Sequence, residues 1–323
     1  MIDSHHTLWR QHAWLNRLQA LLLLSVMASF LALLGWLVWG DDGIVMLLIV
    51  GVMFVFFNPA FSPRLIMNLY GASHISPNQA PGLYSILQEL AQRAGLSVVP
   101  RMYYVPSPLV NSFTTGRTSE SVIAVTDGWL RELDAREQIG VLAHEISHIR
   151  SYDIWVMSLA DVFSRLTSLL SMLGQILLFL NLPLLILGHA TVNWFAIFIL
   201  IFAPTLTTLA QLGLSRTREY DADLNAIRLT GDPVGLARAL VKIEKIQGSW
   251  LERLLLPGRK IPDPSLLRTH PKTEERVRRL MELRSTTDEE GTLNPTEEEW
   301  LEEGFGNHRV RRQPKWHIGG LWH

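Results

Sequence analysis

The chain has 323 residues, 48% of them hydrophobic and only 18% charged, with a formal net charge of −1 and no cysteine. Charge is well below the ~25% usual for soluble globular domains, and a near-zero balance argues against a nucleic-acid partner. The lack of cysteine excludes disulfide scaffolds, Cys-type zinc sites and thiol nucleophiles.

The first element is Leu18 to Gly40, a Leu-rich stretch between Arg17 and Asp41. At about 1.5 Å per residue it can cross a ~30 Å hydrocarbon core, and it exceeds the apolar run of a secretory signal, so it reads as a retained span. A second uncharged run, Gly43 to Pro63, is apolar from Ile44 to Phe57 and broken by Asn58-Pro59; it suits a tilted span or a hairpin arm. Pro81-Gly82 then opens a helical pattern in which Leu83, Ile86, Leu87, Leu90, Ala91 and Ala94 recur at three and four, ended by Gly95. Short β-prone runs follow at Arg101–Val105, Asn111–Thr115 and Ser121–Val125, separated by Pro and Gly, and predict a small sheet. Thr126 or Asp127 caps a short helix, and Asp134 with Glu137 forms a capping-box pattern opening a helix through Arg150.

Asp, Glu, Lys and Arg are absent from Leu166 to Ser215. A helix that long would measure about 75 Å, more than twice the bilayer core, so the block folds back on itself. The expected spans are 166–187 and 192–214, with Asn181-Leu182-Pro183 and Gly188-His189 as candidate breaks. Arg10, Arg17, Arg64, Arg150, Arg165, Arg216 and Arg218 flank one side, whereas the two short connecting loops carry no Lys or Arg, which places both termini in the cytoplasm. Arg216 and Arg218 also suit interfacial anchors. Beyond the block, Ser215–Leu229, Pro233–Gln247 and Thr273–Leu283 read as helices, and the tail has eight acidic residues between Asp288 and Glu303 followed by basic ones.

The chemistry sits in Val141-Leu142-Ala143-His144-Glu145-Ile146-Ser147-His148. Histidines at i and i+4 share one helix face and can reach one Zn²⁺, while Glu145, rotated by about 100°, can sit beside a metal-activated water as general base. HExxH alone is only moderately specific. A catalytic zinc of this type needs a third protein ligand, and Glu219 in Arg218-Glu219-Tyr220-Asp221-Ala222-Asp223 is the candidate. Asp223, one turn on, can accept the free N–H of a ligating histidine, while Asp221 points elsewhere. Glu219 lies five residues past Leu214, whereas His148 precedes Leu166 by eighteen. Either the chain bends near Ser151-Tyr152-Asp153 or the third span begins near Ile154, with Asp161 and Arg165 paired inside the protein. The second is the preferred expectation.

HEISH and REYDAD, with NSFTTG upstream and HPKTEER downstream, resemble the HtpX-like membrane zinc metallopeptidases, relatives of the type I CAAX prenyl endopeptidases. Serine at 112 replaces the alanine usual there. The resemblance, over roughly residues 15 to 284, implies an α+β, mainly α-helical multi-pass membrane protein with a cytoplasmic gluzincin-type peptidase domain and one Zn²⁺ on His144, His148 and Glu219. It makes Glu145 the general base, and it implies a substrate-receiving edge strand at Asn111, Ser112, Phe113 and Thr114. His270 and Arg276 of the HPxxxxR element are candidates to stabilise the oxyanion.

The expected organisation is two spans in 1–65, a first peptidase part in 66–153, two further spans in 154–214, a second peptidase part in 215–284 and a charged tail in 285–323. The expected function is cleavage of membrane or membrane-proximal polypeptides at the cytoplasmic face of a bacterial inner membrane, in protein quality control, with homo-oligomerisation open. The alternatives are a silent metal-binding membrane scaffold or chaperone, and a CAAX-type prenyl peptidase.

Overall fold

The structure, a computed structural model, describes residues 2–56, 62–187, 194–254 and 273–287. The expected break at Gly188-His189, the His270 position and the acidic tail beyond residue 287 lie outside them. In chain order the elements are α1 (Ile2–Trp39), α2 (Asp41–Phe56), α3 (Pro63–Leu69), β1 (Ser73–His74), α4 (Pro81–Arg93), β2 (Arg101–Val105), β3 (Ser112–Thr115), β4 (Val122–Thr126), α5 (Asp127–Glu132), α6 (Ala135–Arg150), α7 (Asp153–Ile186), α8 (Trp194–Thr230), α9 (Pro233–Leu254) and α10 (Thr273–Thr287).

Apolar periodicity and punctuation set the water-facing elements. Thr126 accepts a hydrogen bond from the Trp129 amide to cap α5, and Asp134 and Glu137 complete the reciprocal capping box that starts α6. The sheet runs β1-β2-β4-β3: β2 and β4 are parallel, the outer pairs antiparallel. All five residues of β4 are buried, as suits an inner strand, and β3 is an edge. The two-residue β1 has too little pattern to be seen in the sequence. Leu142 and Ile146 of α6 join Leu87, Met102, Ile123, Trp129 and Leu236 in one core. A Cβ on Gly140 would come within 2.8 Å of the Leu236 amide nitrogen, so glycine lets α6 and α9 approach closely.

Three helical stretches among the described residues are long and apolar enough to cross a membrane: Arg17–Leu37, Asp153–Pro183 and Ile197–Thr230. The expected count was four. The second run forms the 16-residue α2, about 24 Å long and short of a ~30 Å core. It folds against α1 through Gly35 and Gly43, where a Cβ on Gly43 would overlap the Gly35 carbonyl at 2.1 Å. Leu31, Leu34, Leu47, Val162, Leu166 and Ala203 join α1, α2, α7 and α8, while Leu21, Phe179, Phe198 and Leu209 face outward.

The third apolar helix begins at Asp153, as preferred, and the chain also turns sharply just before it, where Tyr152 has φ 57°. Asp161 and Arg165 pair at 2.8 Å, but on the outer surface rather than inside, with side chains 37% and 68% exposed. Asn181-Leu182-Pro183 is not a break. Pro183 lies in the last turn of α7, where the missing N–H forgoes one backbone bond without ending the helix, and its carbonyl accepts from the Leu187 amide at 3.0 Å.

Candidate metal centre

The capping box fixes the start of α6, and core packing fixes its rotation, so His144 and Glu145 are buried and His148 half-buried. The water-facing end of α8 crosses it and brings in Glu219 and Asp223, both buried. His144 Nε2 lies 3.1 Å from His148 Nε2 and 3.5 Å from Glu219 Oε2, and His148 Nε2 is 3.6 Å from Glu219 Oε1. Donors on a tetrahedral zinc at about 2.0–2.1 Å stand about 3.3 Å apart, so the three side chains fit a single Zn²⁺ in separation as well as in type. They are the group among the described residues that converges in this way.

Each imidazole is oriented from behind. Asp223 Oδ1 is 3.0 Å from His144 Nδ1, and Asp153 Oδ2 is 2.8 Å from His148 Nδ1. A carboxylate on Nδ1 puts the proton there and leaves the Nε2 lone pair for a metal. Sequence reasoning identified Asp223 but treated Ser151-Tyr152-Asp153 only as a bend. The left-handed Tyr152 breaks the helical register, so Asp153 returns toward His148 at a spacing of five that no single helix would allow. Arg218, considered above as a membrane anchor, is buried and paired with Asp153, and its Nη2 donates to the Ser151 carbonyl at 3.3 Å. Arg216 is exposed.

Arg276 reaches the centre from α10. Its Nε and Nη2 donate to the two oxygens of Asp223 at 2.7 and 2.6 Å, and Nη1 lies 3.1 Å from Glu219 Oε2. Its guanidinium therefore sits behind the donors, clamping two carboxylates.

Burial opposes a charge on His144, but hydrogen bonds to Asp223 and Glu219 and the charge of Glu219 outweigh it and push its pKa up to about 10. The pocket is one that attracts positive charge. Protons and a metal compete for the same nitrogen, so acid weakens metal binding.

Glu145, buried beside His144, faces β3: Ser112 Oγ donates to Oε1 at 2.7 Å and Thr114 Oγ1 to Oε2 at 2.6 Å. Phe113 points to the other face of the strand, where its ring lies 5.2 Å from that of Tyr70. Asn111 precedes the strand, held by Thr126, whose amide donates to the Asn111 carbonyl at 3.1 Å. A cavity of about 550 Å³ opens beside His148, lined by Gly116, Arg117, Tyr152 and Trp155 among others.

Residues 77–284 match the model of peptidase family M48. A protease HtpX homolog of Sulfurihydrogenibium sp. is 35% identical over 292 residues, covering 83% of this chain and 96% of the relative. Another, from Acaryochloris marina, is 36% identical over 302 residues, covering 83% and 95%. The crystal structure of S. mikatae Ste24p overlays with a TM-score of 0.47 at 18% identity, over 84% of this chain and 66% of that one. The matched stretch holds α6, the water-facing end of α8 and the start of α10, and with them the three converging side chains, Glu145 and the carboxylates and arginines paired around them: the chain belongs to peptidase family M48.

Proposed function

We propose that this membrane-associated metalloprotease is a zinc endopeptidase that cleaves membrane or membrane-proximal polypeptides at the cytoplasmic face. The carrying observation is the convergence of His144, His148 and Glu219 at 3.1–3.6 Å beside the buried Glu145. Two imidazoles and one carboxylate are a donor set of catalytic zinc sites, which keep a further position open. When bound, zinc supplies Lewis acidity toward the scissile carbonyl and makes water a competent nucleophile near neutral pH.

The residues of the chain supply the rest. Glu145 takes a proton from the attacking water onto its carboxylate and returns it to the leaving amine nitrogen. Asp223 and Asp153 keep the imidazoles in the ligating tautomer. Arg276, engaged with Asp223 and Glu219, is better assigned to positioning than to the oxyanion. The outer side of the stretch Asn111 to Thr114, which leads into and forms most of β3, offers backbone groups to an extended substrate, which the cavity beside His148 continues toward Trp155 at the start of the α7 span.

Residues 1–65 and 154–214 form the membrane part and residues 66–153 with 215–284 the peptidase, with α2 inserted as a shorter fourth apolar arm. The arginine distribution supports a cytoplasmic active face in a bacterial inner membrane. Family and relatives favour a protease over a silent scaffold.

Glu145→Gln tests the mechanism: it should keep about one zinc per chain and lose at least about 10²-fold in cleavage of an unfolded membrane polypeptide. Turnover within a few-fold of wild type would overturn it.

A further inference from the structure

We propose that Ser112 and Thr114 are positioning residues that hold the Glu145 carboxylate, one oxygen each, from the same edge strand that receives the substrate. The inference rests on the reading of Glu145 as general base and goes beyond it, because it names what aims that base.

The two-residue period of a strand puts Ser112 and Thr114 on one face and turns Phe113 to the other. That face looks at α6, and the hydroxyls take different oxygens, at 2.7 and 2.6 Å. These are the lengths of charge-assisted O–H···O⁻ bonds, about 2.5–2.7 Å. The grip matters because the last torsion of a glutamate is broad and roughly two-fold, so a carboxylate held at a single oxygen still swings. Contacts at both oxygens fix the plane of the group. A proton acceptor acts within a narrow range of distance and direction, so this plane decides whether water lies in reach.

The placement also links two tasks. β3 is fixed by its ladder to β4, with Ser112 opposite Val125 and Thr114 opposite Ile123, and no strand of the described residues pairs with its other side. Backbone groups of Ser112 to Thr114 on that outer side would dock the substrate, while the side chains of Ser112 and Thr114 hold the base. The strand therefore sets the register between scissile bond and proton acceptor. The two tasks use different atoms and can be separated by substitution.

The test uses the full-length zinc-loaded protein in detergent, with steady-state kinetics on a peptide substrate. Ser112→Ala and Thr114→Ala should each lower kcat about tenfold, the loss expected for one hydrogen bond to a charged group, and the double variant should fall further. KM should stay within about twofold, since the strand backbone is unchanged. Ser112→Thr and Thr114→Ser, which keep a hydroxyl, should recover most of kcat. A second readout needs no turnover: in metal-free protein the double alanine variant should lower the unfolding midpoint when Glu145 is present and leave it unchanged in a Glu145→Ala background. Unchanged kcat in the double variant, a rise in KM alone, or an equal midpoint loss with and without Glu145 would each overturn the proposal. Full activity of Glu145→Gln would instead overturn the reading of Glu145 as base, and the midpoint comparison would still decide whether the hydroxyls hold it.

Discussion

The two halves of α8 are built inside out relative to each other. From Trp194 to Leu214 the helix has no charged residue and turns Phe198, Phe202, Leu206 and Leu209 outward, each more than 40% exposed. From Ser215 to Thr230 it buries Arg218, Glu219, Asp221 and Asp223, each less than 10% exposed. One continuous helix thus serves two solvents. In the first half the exposed apolar surface has the length and composition of a membrane span, the setting in which lipid would cover it. In the second, burying four charges is tolerable only because each has a partner, and an unpaired one would be costly. The candidate centre lies where the rule changes, on the first turns past the apolar stretch.

The largest effect expected from breaking this contrast is at Arg276. Replacing it by Met leaves Asp223 and Glu219 without their guanidinium, and loss of one partner of a buried ion pair destabilises by about 3–5 kcal/mol. The unfolding midpoint of the metal-free protein in detergent should fall well below wild type; a change of less than about 1 kcal/mol would mean that the carboxylates do not depend on Arg276.

An Arg at Phe202, on the lipid-facing half, should oppose insertion by about 2.5–3.5 kcal/mol. This is read as a drop in the membrane-integrated fraction. Arg228, already exposed on the other half, shows that the same residue is accommodated there. Normal integration of Phe202→Arg would place that face in water.

The smallest effect lies on the water-facing rim. Asp232 caps α9 by accepting from the Val234 and Gly235 amides at 3.1 Å and pairs with Arg136 through two oxygens. Burial pushes its carboxyl upward, but Arg136 and the two amides outweigh it and hold its pKa below 3.8. A depressed carboxyl stabilises the fold above its unfolded pKa and loses that contribution as pH falls through the lower folded value. Asp232→Ala should therefore cost about 1 kcal/mol near neutral pH, and the gap to wild type should narrow below pH 3.8. A gap independent of pH would assign the effect to something other than the charge.

What the sequence made legible was local. The Asp134–Glu137 box, the Gly95 stop, the strand at Arg101–Val105 and the paired positions on the α6 and α8 faces all depend on spacings of four or fewer, or on turn residues. The hidden part depends on contacts across long separations. Arg218 meets Asp153 across 65 residues, Arg276 meets Asp223 across 53, and Ser112 and Thr114 meet Glu145 across 33 and 31. A strand pattern shows that Ser112 and Thr114 share a face, but only tertiary packing says that this face looks at α6. The outward Asp161–Arg165 pair has the same origin. Periodicity predicted the pair, while its side of the helix is set by how α7 packs on α1 and α8.

Glu219, on α8 just past its apolar stretch, is the proposed third metal ligand. Elemental analysis of the purified full-length protein tests it directly, by comparing wild type with Glu219→Ala and Asp221→Ala. Wild type and Asp221→Ala should each carry about one zinc per chain, and Glu219→Ala should show a large loss. Full zinc occupancy in Glu219→Ala would contradict it.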